Sequence, residues 1–242
     1  NRLDPLFDRQ CASYGLTEIE RVAQVTELEL LQALADCKPM VITQPQFAQP
    51  HSYWSVDTLV KKYGDVDLRV RSKDEKETLG QFVQRMQQAQ DESSKITEGH
   101  TKAYTEGCTL PEAMAAEFVP AYFSLHDYIE PQIWLGNVPT NVAASSLHRD
   151  PMDGFLYQVM GRKKLLMYAP DQAPLLYPMK AYNNYQPCWV KPEEPDLERY
   201  PEFAKAKPIE VILHPGELLI QPAGWFHVVY CIDTPTFSVS HF

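Results

Sequence analysis

The chain has 242 residues, 44% of them apolar, and carries 32 acidic against 22 basic side chains for a formal charge of −10. That length suits one domain, the apolar fraction is ample for a core, and the composition excludes an intrinsically disordered protein. The charge argues against a nonspecific nucleic-acid binder, because phosphate contacts need clustered Lys and Arg, while it leaves room for a basic peptide or a small cation.

Residues 1 to 16 show little periodicity and read as a tail or packing arm. From Glu18 to Ala35 apolar residues recur at three- and four-residue spacing, which predicts a helix ending near Asp36, ahead of Pro39. Met40 to Thr43 reads as a short buried strand, Trp54 to Tyr63 as a second helix stopped by Gly64, and Asp67 to Arg71 as a strand. Thr78 to Gln90 has a helical apolar stripe of Leu79, Phe82, Val83 and Met86. Leu110 to Phe118 is helical again, with Pro111 in its first turn.

Beyond Trp134 the pattern becomes that of strands. Eight are predicted: Gln132 to Gly136, Ser145 to Asp150, Gly154 to Met160, Lys163 to Tyr168, Ile209 to Leu213, Leu218 to Gln221, His227 to Ile232 and Thr236 to Phe242. Short strands parted by turn residues indicate a barrel or sandwich. The expected organisation is a helical and mixed cover over 1–130 and a β core over 131–242, packed as one structural domain. Residues 170–208 interrupt that core with eight prolines. A long irregular insert of this kind is commonly functional; it carries Tyr177, Tyr182, Tyr185 and Trp189, then the acids Glu193, Glu194, Asp196 and Glu198.

The chemistry concentrates in LHRDPMDGFLYQVMGRKKLLMY, residues 147–168. Side chains two apart on a strand share a face, about 7 Å apart at the Cα atoms, so His148 and Asp150 can aim at one metal. QPAGWFHVV offers His227 as a third ligand. Two imidazoles and one carboxylate leave open positions, the arrangement of non-haem Fe(II) oxygenases. Alternation also puts Lys163 on the face of Leu165 and Met167. A buried ammonium there is costly without an anion to meet it, whereas Lys164 points the other way.

The order His-x-Asp, QVMGRKKL, YAPDQAPLLYP, PDLERYPEFAKAKP, LHPGELLIQPAGWFH and FSVSHF resembles the JmjC family of 2-oxoglutarate oxygenases, and most of all its protein-hydroxylase branch. The similarity is dense from Trp134 to Phe242 and looser in KPMVI, SYWSVDTLVKKYGD and ETLGQFVQRM. The resemblance implies a mainly β fold with a helical N-terminal cover, the double-stranded β-helix of jelly-roll and cupin-like proteins. It implies Fe(II) on His148, Asp150 and His227, with 2-oxoglutarate and O2 as cosubstrates and hydroxylation of a protein or peptide side chain as the reaction.

By the same resemblance Lys163 meets the distal carboxylate of 2-oxoglutarate, and Tyr104, Ser145 and Ser240 supply hydroxyls or other hydrogen bonds to it. Gly154 departs from the pattern, since several relatives carry asparagine there, and Ser145 stands where threonine is frequent. His51, His100, His126, His214 and His241 have no matching partner, and Trp134 and Trp225 read as core. The rival readings are a hydroxylase of a small metabolite and a cupin-like module that binds without turnover.

No run reaches the length of a membrane span, and no charged-then-apolar leader opens the chain at Asn1. Cys11, Cys37, Cys108, Cys188 and Cys231 lack CxxC spacing, which reads as free thiols in a reducing compartment. The expectation is therefore an intracellular, cytoplasmic protein with no nucleic-acid and no membrane partner. The oligomeric state is left open.

Overall fold

The computed structural model describes residues 15–47, 53–69, 77–92, 104–105, 107–124, 129, 131–140, 142–180 and 185–242. Among them the strands are β1 (Glu20–Val22), β2 (Met40–Ile42), β3 (Asp67–Leu68), β4 (Glu77–Thr78), β5 (Cys108–Thr109), β6 (Gln132–Gly136), β7 (Ala143–Arg149), β8 (Gly154–Met160), β9 (Lys163–Tyr168), β10 (Gln186–Pro187), β11 (Ile209–Leu213), β12 (Leu218–Gln221), β13 (Phe226–Cys231) and β14 (Thr236–His241). The helices are α1 (Glu27–Ala35), α2 (Val56–Tyr63), α3 (Leu79–Glu92), α4 (Glu112–Phe118) and the single turn α5 (Ala173–Leu176).

Two sheets face each other. The larger has the order β1-β2-β12-β8-β14-β6-β5 and the smaller the order β10-β7-β13-β9-β11, while β3 and β4 form a separate pair. This is the mainly β, cupin-like jelly roll that the sequence implies. All eight predicted strands are present, with some ends moved by one or two residues.

Period-two alternation sorts the side chains into layers. On the larger sheet Ile42, Ile133, Leu135, Phe155, Tyr157, Leu218, Ile220, Phe237 and Val239 point outward into one buried cluster with Leu30 and Leu34 of α1, Leu59 of α2, Phe82 and Met86 of α3, and Phe118 of α4. The inward face meets the smaller sheet through Val41, Leu219, Leu165, Met167, Val211 and Val229, with Trp225 beside them. Three strands from the first 130 residues, β1, β2 and β5, thus extend the same sheet that β6, β8, β12 and β14 build.

The helices start where local chemistry starts them. Thr26 and Glu29 form a reciprocal capping box ahead of α1, a device worth about 1 kcal/mol. The single helix predicted from Glu18 therefore splits: Glu20–Val22 pairs in parallel with Met40–Ile42, and the helix begins only after Thr26. Ser55 with Thr58 caps α2 in the same way. Thr78 and Gln81 exchange hydrogen bonds at the start of α3. Pro111 is the N-cap of α4 rather than a first-turn residue. The strand expected to run from Asp67 contributes only Asp67–Leu68, paired with Glu77–Thr78; Val70 and Arg71 lie outside the described residues.

The proline-rich insert is structured where it is described. Two 3-10 turns, Pro170–Gln172 and Pro201–Lys205, flank α5 and β10. The Gln172 side-chain amide donates to the Lys207 carbonyl at 3.0 Å and accepts from the Lys207 amide at 2.7 Å, which clips the two ends together. Leu176, Cys188, Phe203 and Ala206 pack on Leu147, Tyr168, Phe226, Val228 and Tyr230, the outward side chains of the smaller sheet. Among its described residues the insert is a lid on the back of that sheet, and its 185–187 segment reaches the front.

Cys108, Cys188 and Cys231 are free thiols, but Cys37 is disulfide-bonded, against the expectation that all five are free. Scattered spacing along the chain says nothing of proximity in space. No helix among the described residues is long and apolar enough to cross a membrane.

Candidate metal centre

His148 and His227 lie directly opposite each other on the paired strands β7 and β13, with ring centroids 4.2 Å apart. Asp150 follows one residue after β7 ends. Its carbonyl accepts from the Gly224 amide at 3.1 Å, and the Asp153 carboxylate accepts from the Ala223 amide at 2.8 Å. Two loops are thereby tied together just below the site. Gly224 has a φ of +88°, a left-handed conformation that glycine adopts without strain. The turn is anchored behind by Trp225, whose indole N–H donates to the Cys37 carbonyl at 3.0 Å.

One ligand atom from each of His148, Asp150 and His227 lies within 4.8 Å of the others, and among the described residues they are the only such group of three. His148 Nε2 is 3.7 Å from Asp150 Oδ1 and His227 Nε2 is 3.8 Å from Asp150 Oδ2. Donors about 2.0–2.2 Å from a common cation stand at comparable separations. His148 Nδ1 contacts the Ser146 carbonyl at 2.6 Å, a bond that puts its proton on Nδ1 and leaves the Nε2 lone pair facing Asp150.

The electrostatics fit a cation. Asp150 is buried and its Oδ1 accepts no hydrogen bond. Burial raises the Asp150 carboxyl above the usual range, partly opposed by the nearby His148. Burial, and then His148, hold His227 well below the ordinary histidine value. A buried carboxylate with an unused oxygen beside imidazole nitrogens is costly as it stands. A divalent cation satisfies the oxygen and uses both lone pairs, and the N,N,O donor set suits Fe(II).

A cavity of about 490 Å³ opens between the sheets and is lined by all seven sequence-derived site residues: His148, Asp150, His227, Lys163, Tyr104, Ser145 and Ser240. Lys163 is 2% exposed. Its ammonium donates to the Tyr104 hydroxyl at 3.2 Å, and burial pushes its pKa down to about 8, with Cys231 opposing the shift. Lys164 points outward, 4.0 Å from Glu210, as alternation requires. Ser145 faces the cavity although it is three residues from His148, because the β7–β13 pairing shifts register between them. Such a bulge re-aims the side chains beyond it.

Several lining residues were missed from sequence. Trp134, read as core, borders the cavity and donates from Nε1 to Ser240 Oγ at 2.8 Å. Gln221 is buried against the centre, its amide nitrogen 2.8 Å from His227 Nδ1 and 3.4 Å from Asp150 Oδ2. The signal for it was present: a lone polar residue on the inward register of LLIQ, two after Leu219. At Gly154 a Cβ would stand 3.2 Å from the Phe242 ring, so Phe242 fills the space that a side chain there would need. Tyr185 and Pro187 join the lining because β10 pairs with β7, Pro187 opposite His148.

Other readings resolve away from the centre. His241 lies on the face of β14 opposite Ser240 and stacks on Phe155, 5.4 Å between centroids. Glu193 accepts from the Tyr230 hydroxyl at 3.1 Å, on the back of β13, and Asp196 accepts from the Arg199 amide at 3.0 Å. Glu193 therefore braces the insert behind the smaller sheet instead of facing the cavity, while Asp196 caps a local turn. His51, His100, His126 and Tyr182 lie outside the described residues.

Comparisons with known proteins place the fold in a family. The family described as "Cupin-like domain" matches residues 25–242. This chain belongs to the cupin-like domain family. Its relatives include lysine-specific demethylase 8 of Danio rerio, 31% identical over 221 residues, covering 84% of this chain and 52% of the relative. The tRNA wybutosine-synthesizing protein 5 of Danio rerio is 29% identical over 219 residues, covering 78% and 64%. Jumonji C domain-containing protein 5 of Drosophila melanogaster is 34% identical over 112 residues, covering 46% and 27%. The JmjC resemblance read from the motifs thus holds for this cupin-like chain, which spans about half the length of the demethylase and less than two thirds of each of the others. A tRNA-related protein among the relatives removes the ground for excluding nucleic acid. Net charge describes a whole chain and not a local patch.

Proposed function

We propose that this chain is an Fe(II)- and 2-oxoglutarate-dependent oxygenase that hydroxylates a protein or peptide side chain. The observation that carries the reading is one cavity holding both a three-donor cluster with an unsatisfied buried carboxylate oxygen and a buried ammonium. Iron and 2-oxoglutarate, when bound, supply O2 activation and the oxidising equivalents for hydroxylation of a C–H bond.

The chain's own residues do the rest. His148 and His227, each through Nε2, and Asp150 hold the cation on one side. Lys163 and the Tyr104 hydroxyl hold the distal carboxylate of 2-oxoglutarate, and that anion offsets the cost of burying the ammonium. Ser240 Oγ accepts from Trp134 Nε1, so its own proton is free to donate to the cosubstrate, and Ser145 adds a hydroxyl from across the bulge. The apolar walls, including Leu156, Leu165 and Val229, exclude water and lower the local dielectric around these charges. A polypeptide substrate is supported by Tyr185, which lines the cavity and is 37% exposed, an aromatic surface at its edge.

The test is succinate release from 2-oxoglutarate with and without added iron, across peptides, small metabolites and tRNA, with product mass read in parallel. A mass gain of one oxygen on a peptide, dependent on iron, is the expected result. Oxidation of a metabolite or of tRNA instead would replace the substrate class. Iron and 2-oxoglutarate binding without succinate from any mixture would reduce the chain to a binding module.

A further inference from the structure

Behind the two histidines runs a row of side chains that the chemistry above does not use, and it ends on a strand supplied by the insert. Directly paired residues share a face of a sheet. Pro187, His148 and His227 are paired in one row across β10, β7 and β13, and all three line the cavity. The adjacent row is Gln186, Arg149 and Phe226, which alternation turns to the back. Phe226 packs there with Leu147, Tyr168 and Val228.

Arg149 spans this back row. It is buried, its guanidinium carbon stands 4.8 Å from the centre of the Phe226 ring, and its Nε–H donates to Gln186 Oε1 at 2.6 Å. Because Arg Nε can only donate, the oxygen of the Gln186 amide is held towards it. The nitrogen of that amide donates to the Met179 carbonyl at 3.2 Å. A planar guanidinium can lie on a ring and donate within its own plane at once, which an ammonium cannot. One side chain thus joins β13, β7 and the insert. β10 is two residues long, shorter than most strands, and the backbone bonds around it include Cys188 N–H to the Leu147 carbonyl and Met179 N–H to the Pro187 carbonyl. On its front it carries Pro187 opposite His148, with Tyr185 lining the same cavity.

We propose that Arg149 is a positioning residue that pins β10 to the ligand-bearing strands from behind, so that Tyr185 and Pro187 form a preformed wall against which a polypeptide substrate is placed. A wall ordered before binding spares the association the cost of ordering it. The inference rests on the metal-centre reading and the proposed reaction above. It goes beyond them in making substrate placement depend on a side chain that faces away from the cavity.

The experiment replaces Tyr185 by 3-fluorotyrosine and follows its 19F resonance as Mn(II), the probe, is titrated in. Paramagnetic broadening falls steeply with distance, so it reports how firmly the wall is held beside the centre. In wild type a single resonance should broaden as the site fills. In Arg149→Met calorimetry should still detect Mn(II) binding, because the three donors do not rest on the back row, while most of the broadening is lost. Gln186→Met leaves Arg149 on Phe226 and removes only the acceptor; it should show the same loss, and it keeps the proposal open to refutation if Arg149→Met misfolds. Gln186→Glu restores an oxygen for Nε–H and should keep the wild-type broadening, a rescue that a role in packing alone does not produce. Unchanged broadening in either folded Met variant, or its loss in Gln186→Glu, would overturn the pin. So would Arg149→Met that no longer binds Mn(II), or wild type that binds Mn(II) without broadening the 19F resonance. No Mn(II) binding by wild type would instead sink the metal-centre reading, and this inference with it.

Discussion

Replacing Lys163 by methionine separates the stability of this protein from its cosubstrate binding. Lys163 is 2% exposed, and the partner described for its ammonium is the Tyr104 hydroxyl at 3.2 Å. Burial depresses its pKa from 10.5 to about 8, which corresponds to about 3 kcal/mol of unfavourable burial at neutral pH. Methionine fits a similar volume without a charge. The metal-free variant should therefore be more stable than wild type by about 1–4 kcal/mol, the range found when buried ions give way to packed apolar groups. The pH dependence has a definite sign. Because the unfolded chain holds this proton more tightly than the folded one, wild-type stability rises as pH climbs from about 8 towards 10.5. The variant lacks that rise.

Cosubstrate binding should move the other way. Removing one partner of a buried charge pair costs about 2–5 kcal/mol, so 2-oxoglutarate should bind about 30- to 5000-fold more weakly. In wild type its affinity should fall by up to about tenfold per pH unit once pH exceeds the lysine's depressed value; in the variant it should be weak and flat. Calorimetry with Mn(II) in place of iron, beside thermal melts of the metal-free proteins, reads both effects. An unchanged Kd would place the distal carboxylate elsewhere. A variant less stable than wild type would mean that the ammonium has a stronger partner than Tyr104.

Alanine at His148, Asp150 or His227 should reduce iron-dependent succinate release to background while circular dichroism stays that of the wild type; a variant that retains both iron and activity removes its residue from the cluster. Lys164→Ala should leave 2-oxoglutarate affinity within about twofold, since its ammonium sits on the outer face with Glu210, a pairing worth at most about 1 kcal/mol. Gly154→Asn should displace the Phe242 ring, which a Cβ already meets at 3.2 Å, at a cost of about 1–3 kcal/mol in a denaturant titration; unchanged stability would show that the ring yields freely.

The motifs alone pointed to the candidate metal cluster, because His148, Asp150 and Lys163 lie on one short stretch where period-two alternation governs direction, and His227 follows a turn with a recognisable sequence. The same alternation sent Lys163 inward and Lys164 outward, and eight short strands pointed to two packed sheets. What alternation cannot supply is partnership between distant segments. The β7–β13 register shift that turns Ser145 inward depends on both strands at once. The pairing of Glu20–Val22 with Met40–Ile42 overrode a helical pattern because the sheet offered hydrogen bonds that an isolated helix end lacks. Glu193 of the acidic insert meets Tyr230 behind the smaller sheet, since only packing decides which side of a sheet a loop covers. Gln221 and Trp134 acquired their places at the site from what folding brought within 3 Å of them. Hydrogen bonding is short-ranged and indifferent to sequence separation, so those roles belong to the tertiary structure.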